Sequence, residues 1–107
     1  MQGRVRPFLI IIPLILGFSA YSSAESGHDI FKRRCAGCHG ANGAGDTTIG
    51  KHLKLRDLRS PDVQKLTDEE LAQITSKGKP GKMPAFESKL TKEQIGELVE
   101  FIRSVKK

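Results

Sequence analysis

The chain's two cysteines stand three apart, and a histidine follows the second at once: Cys35-Ala36-Gly37-Cys38-His39. Thiols and an imidazole at this spacing can do three kinds of chemistry. The thiols can cycle through a disulfide, help hold a zinc ion, or bond to the vinyl groups of a haem whose iron the histidine ligates. On a helical turn, positions i, i+3 and i+4 share a face, so Cys35, Cys38 and His39 would project together. A thioredoxin-like redox pair calls for a βαβ pattern, which is absent, and leaves the histidine unexplained. A zinc site needs a fourth ligand, and the spacing of His28 or His52 fits no common zinc module. Cys-x-x-Cys-His is the attachment pattern of c-type haem: Cys35 and Cys38 form the thioethers and His39 offers Nε2 to the iron.

A haem iron held on one side by His39 has a sixth position to fill. Beyond residue 24 the chain has one methionine, Met83, and two further histidines, His28 and His52. Met83 is not on an apolar helix stripe, where a core methionine belongs; it lies in the loop Gly81-Lys82-Met83-Pro84. A thioether is a soft, neutral axial donor that favours ferrous iron and so raises the reduction potential. Pro84 restricts Met83 to extended geometry, which helps hold the sulfur in place. His52, in a long loop, is the better rival ligand; His28 falls in a first helical turn, open to solvent.

The elements that must position these residues read as three helices and no convincing strand. The first opens at Ser26 as N-cap, with Asp29 favouring its N-terminus, and runs through Ile30 and Phe31 to the cysteines. The second opens on the capping box Thr67-x-x-Glu70, carries Leu71 and Ile74 on one face and stops at Gly78. The third opens on Thr91-x-x-Gln94, and Ile95, Leu98, Val99, Ile102 and Val105 follow helical spacing. A short helical turn starts at Ser60-Pro61. Residues 40–59 and 78–90 read as irregular, and long loops in a small domain suit wrapping around a cofactor. Gly43-Ala44-Gly45 lacks the preceding strand and third glycine of a dinucleotide site, and Gly81-Lys82 lacks the Ser or Thr of a phosphate-binding loop.

With 107 residues the chain has room for one domain. Residues 1–24 read as a cleaved signal peptide: Arg4 and Arg6, the apolar run Phe8–Phe18 broken by Pro13, then Ser22-Ser23-Ala24. That run is too short for a membrane span, which needs about 20 residues. Residues 25–107 then form the functional domain, outside the cytoplasm, periplasmic or an equivalent compartment, with no stable membrane span. Cleavage removes Arg4 and Arg6 but no acid, lowering the net charge from +6 to +4, and leaves Phe31, Phe86 and Phe101 as the aromatics. So small a domain, without tryptophan, gains from a large apolar prosthetic group that completes its core. The modest charge and lack of stacking aromatics exclude nucleic acid as partner.

Cys35–Gly40, the stretch LTDEELAQITSKG, KMPAF and the closing LTKEQIGELVEFIRSV together resemble the small class I c-type cytochromes. The similarity is to the cytochrome c6 and oxidase-associated monohaem group, and it covers nearly all of residues 26–107. The resemblance implies an all-α small cytochrome c fold, with N- and C-terminal helices crossing and loops wrapped around one covalent haem c. In the family a glycine and an aromatic of the first helix meet an apolar residue and an aromatic of the last; Gly27 with Phe31, and Leu98 with Phe101, match them. Three features depart from the family. No proline lies between His39 and Pro61 to supply the carbonyl that orients the proximal histidine. No Trp or Tyr is available for the haem propionates. Gly96 interrupts the last helix, with helix crossing as one reason.

These readings lead to a soluble single-electron carrier rather than an enzyme. His39 and Met83 ligate the iron, and redox proteins of a respiratory or photosynthetic chain are the partners. Lys51, Lys54, Lys77, Lys79, Lys82 and Lys89 crowd the loops near the expected haem edge, whereas Asp68, Glu69, Glu70, Glu93, Glu97 and Glu100 lie on helices. If folding keeps them apart, the lysines steer the carrier toward a partner with an acidic face. The alternatives are a haem enzyme or gas sensor with a labile sixth ligand, and an electron-transfer subunit bound permanently in a larger oxidoreductase.

Overall fold

Ser26 accepts a hydrogen bond from Asp29 N–H at 3.2 Å and so opens α1, Gly27–Arg34, as its spacing predicts. In this computed structural model, which describes residues 2–17 and 25–107, five further helices follow. They are α2 (Ala36–His39), α3 (Thr48–His52), α4 (Pro61–Gln64), α5 (Asp68–Lys77) and α6 (Lys92–Ser104). Both expected capping boxes form: Thr67 with Glu70 starts α5, and Thr91 with Gln94 starts α6. Among the described residues there is no strand, only an isolated antiparallel bridge between Lys79 and Met83. Residues 2–17 carry no helix or strand, and Phe8 to Leu16 expose their apolar side chains. Among the described residues no helix is long and apolar enough to cross a membrane. The expected cleavage residues Ser22-Ser23-Ala24 lie outside the described residues.

The first and last long helices pack tightly because Gly27 has no side chain. A Cβ there would lie 2.5 Å from the Glu97 carbonyl carbon and 3.2 Å from Leu98 N. Next to this contact Phe31 and Phe101 meet with ring centroids 4.7 Å apart and planes tilted by 43°. Ile30, Phe31 and Leu98 are the largest fully buried side chains, and Phe86, Leu90 and Ile95 complete that cluster. Burying each such side chain stabilises the fold by about 1.5–3 kcal/mol. A second cluster joins Val63 of α4, Leu71 of α5 and Val99 and Ile102 of α6.

Four expectations change. Residues 40–59 are not wholly irregular, because α3 forms inside them. The first helix does not run unbroken to the cysteines: Cys35 leaves helical geometry at φ −120°, separating α1 from α2. Val105 lies beyond the last helix, as its C-cap, and is only partly buried. Gly96 is exposed, and a Cβ there would meet nothing within 4 Å, so helix crossing is not its reason.

Candidate functional site

Cys35 serves as N-cap of the single-turn helix α2, and its carbonyl accepts from Cys38 N–H at 3.2 Å and His39 N–H at 3.0 Å. That closure puts positions 35, 38 and 39 on one turn. Helix α3 then docks onto them. The Thr47 hydroxyl donates to the Cys38 carbonyl at 2.6 Å while accepting from Gly50 N–H at 2.9 Å. Gly50 is buried, and a Cβ there would come within 2.8 Å of the Cys38 carbonyl oxygen. The His39 carbonyl accepts from Gly45 N–H at 2.7 Å. The loop after the histidine is thus tied to it through main chain.

Met83 is positioned by different means. Lys79-Pro80-Gly81-Lys82 forms a tight turn, with Lys82 N–H donating to the Lys79 carbonyl at 3.0 Å and Gly81 at φ 75°. Proline second and glycine third suit this type II geometry. Lys79 and Met83 exchange both main-chain hydrogen bonds at 2.8 Å. Phe86 N–H and Glu87 N–H then donate to Thr75 and Ser76 carbonyls of α5, both at 3.2 Å, pinning the loop to that helix.

One cavity of about 420 Å³ is lined by Cys35, Cys38, His39 and Met83 together. Leu53, Leu55, Leu58, Ile74, Pro84 and Phe86 make much of the remaining wall apolar. The volume lies in the range of small-molecule and cofactor sites. The two thiols are not bonded to each other. Burial pushes the Cys35 thiol up to about 11, partly offset by Arg34. Burial also lowers the His39 imidazole below its ordinary value, keeping it neutral and able to donate a lone pair. His39 Nδ1 is buried with no hydrogen-bond partner among the described residues, so the acceptor left open by the missing proline is not supplied by another group. A buried polar atom without a partner is uncommon.

An apolar cavity with two thiols, a neutral imidazole and a thioether on its walls fits a covalently held haem. It does not fit zinc: among the described residues no three His, Cys, Asp or Glu side chains are grouped so as to hold a metal ion, and no fourth ligand of these types joins Cys35, Cys38 and His39 in the cavity. The rival ligands lie elsewhere. His28 is exposed and stacks on Phe101 at 5.2 Å, and His52 is exposed at the end of α3; neither lines the cavity.

The family described as cytochrome c oxidase, cbb3-type, subunit III matches residues 22–102. The chain belongs to that family. Among relatives of this subunit III family member, the cytochrome c6-like protein of Nostoc sp. is 27% identical over 95 residues, covering 89% of this chain and 82% of that protein. The cbb3-type cytochrome c oxidase subunit CcoP of Azospirillum brasilense is 27% identical over 85 residues, 78% of this chain. The chain spans only 29% of that subunit's length. Among solved structures, the KustC0563 c-type cytochrome superposes with a TM-score of 0.73 at 32% identity, over 78% of this chain and 100% of that one. Cytochrome c6C from Synechococcus sp. PCC 7002 gives a TM-score of 0.57 at 28% identity, over 75% and 93%. The expected all-α cytochrome c fold is therefore present, and the protein is a c-type cytochrome. Membership implies covalently bound haem c.

Charge at the cavity differs from the expected ring of lysines. Lys54, Lys79 and Lys82 line it, but Lys51, Lys77 and Lys89 do not. Lys77 pairs with Glu87 at 2.8 Å, and Lys89 lies over the Phe86 ring. In their place Arg34 and Arg56 line the cavity, two residues the sequence reading missed. The alternation Leu53-Lys54-Leu55-Arg56 is the signal that points to Arg56. Asp68, Glu69, Glu93, Glu97 and Glu100 line a separate groove of α5 and α6, so the charge separation survives folding.

Proposed function

We propose that this c-type cytochrome carries single electrons on one haem, bonded through Cys35 and Cys38 and ligated axially by His39 and Met83. The observation that carries the reading is the single apolar cavity lined by all four side chains. Cys35 and Cys38 would hold the haem through two thioethers, each S–H adding across a vinyl double bond, sulfur to one carbon and hydrogen to the other, with no oxidant needed. With His39 and Met83 as its ligands, the iron would have no site left for oxygen or peroxide, and the leucines of the cavity wall would keep water from it. Bound there, haem c supplies an iron that accepts and releases one electron. Residues 1–24 serve as a cleaved signal peptide, and residues 25–107 work outside the cytoplasm, in a periplasm or equivalent.

Spectra of purified protein test the ligand set. The ferric form is expected to show the weak red charge-transfer band of a methionine–iron bond, and the ferrous form to resist carbon monoxide. Met83→Ala loses the band and binds carbon monoxide. Ready uptake of carbon monoxide by the wild type would instead support the labile-ligand enzyme or sensor.

The cations at the cavity favour redox partners with acidic faces. Reduction of such a partner is expected to slow about tenfold or more between roughly 10 mM and 150 mM salt. An unchanged rate refutes the steering. The family name and the CcoP relative favour a second reading, a subunit held in an oxidase complex. Purification under native conditions separates the two: the carrier elutes alone, the subunit with its complex.

A further inference from the structure

Five cations line the cavity that holds Cys35, Cys38, His39 and Met83, and no acid does. Among residues 25–107, Arg33, Arg59 and Arg103 are each paired with a carboxylate. Arg34 and Arg56 have no ion-pair partner among the described residues, and both line this cavity. An apolar chamber edged by unpaired cations receives an amphiphile with an apolar body and a carboxylate end. Haem is such a molecule, with its propionates on the porphyrin edge away from the vinyl groups. Arg34 adjoins Cys35 and so belongs to the vinyl edge. Lys54 and Arg56 come from a separate segment.

That segment is held firmly. Leu55 N–H donates to the Gly50 carbonyl at 2.9 Å and Lys54 N–H to the Lys51 carbonyl at 3.2 Å, closing α3 in a Schellman motif. Lys54 has φ 55°, the one non-glycine with positive φ among the described residues. Glycine is the usual occupant there, so a lysine is kept at some cost to the backbone. Leu53 and Leu55 line the cavity beside Lys54 and Arg56.

We infer that Lys54 and Arg56 bind the haem propionates, in place of the Trp or Tyr donors that residues 25–107 lack. This rests on the haem reading above. Neutral donors leave a propionate free to take up a proton near neutral pH, whereas lysine and arginine stay charged and hold it ionised. The wild-type midpoint potential is then flat through the neutral pH range. Removing either cation raises a propionate into that range, and the potential comes to depend on pH. It also falls, because one positive charge fewer favours ferric iron.

Potentiometric titration of Lys54→Gly and Arg56→Gln holoproteins across pH tests this, with Lys51→Gln as control. Lys51 is exposed on α3, carries the same charge and does not line the cavity. Lys54→Gly suits the backbone at that position, so it decides the matter alone if Arg56→Gln fails to mature. The expected result is a new pH-dependent region and a lowered potential in both variants, restored to flatness in Arg56→Lys and absent from Lys51→Gln. Curves superimposable on a haem-bearing wild type, or an equal change in Lys51→Gln, overturn the inference and leave the haem reading standing. A wild type without covalent haem overturns both.

Discussion

Gly78 lies against the main chain of Met83 so closely that no side chain fits between them. A Cβ on Gly78 would sit 2.5 Å from the Met83 carbonyl oxygen, 2.6 Å from the Pro84 carbonyl carbon and 2.7 Å from Ala85 N. The end of α5 and the methionine loop are one packed unit, and the glycine is what allows it.

Gly78→Ala is therefore expected to move Met83. The position has φ 66°, so the substitution strains the backbone as well as colliding with the loop. A loss of about 1–3 kcal/mol follows, lowering Tm by roughly 4–8 °C per kcal/mol in a domain this size. The red charge-transfer band should weaken and ferrous protein should take up carbon monoxide. An unaltered band with an unaltered Tm would show the loop to be free of the glycine.

The two glycines near the helix crossing should respond in opposite directions. Gly27→Ala forces α1 away from the Glu97–Leu98 main chain and is expected to destabilise by about 3 kcal/mol. Gly96→Ala meets only open space and should stabilise by about 1 kcal/mol, the helix-propensity difference. Thermal melts of both variants decide this; a Gly96→Ala that melts below the wild type would contradict it.

Asp57 predicts a pH dependence. The Arg59 side chain holds its carboxyl well below the usual carboxylate range, with Arg59 N–H and Lys107 adding to the effect. A carboxyl depressed on folding stabilises the protein above its unfolded value of about 3.9. That contribution is lost as pH falls through the lower folded value. Asp57→Asn should lower Tm at neutral pH, with the gap to wild type closing below about pH 4. A gap of constant size from pH 7 to 3 would assign the loss to packing.

Arg103 ties α6 to the end of α4. It donates to the Gln64 carbonyl at 2.7 Å, to the Leu66 carbonyl, and to Asp68 at 2.9 Å. Arg103→Met keeps the apolar stem and strips these bonds, at an expected loss of about 2–3 kcal/mol. Arg103 does not line the cavity, so the spectra should remain those of the wild type. Chemical denaturation followed by far-UV circular dichroism measures the first and absorption the second.

Residues that act on near neighbours were legible without coordinates. Ser26, Thr67 and Thr91 cap their helices through hydrogen bonds spanning three residues, and Ile95, Leu98, Val99 and Ile102 mark the buried face of α6 by their period. The Cys35–His39 spacing already implied one shared turn, and Gly81 and Pro84 marked Met83 as a loop residue rather than a core one. Tertiary structure decided what depends on distant chain. Helix α3 is five residues long with a central glycine, a sequence without apolar period; what identifies it is Gly50 and Thr47 docking on the Cys38 carbonyl. Exposure of Gly96 and the exclusion of His28 and His52 from the cavity are likewise matters of where other elements pack. So is the replacement of Lys51, Lys77 and Lys89 by Arg34 and Arg56 at the cavity. Caps and periods are written in residues three or four apart, whereas a shared cavity is set by side chains dozens of residues apart, whose meeting no local spacing encodes.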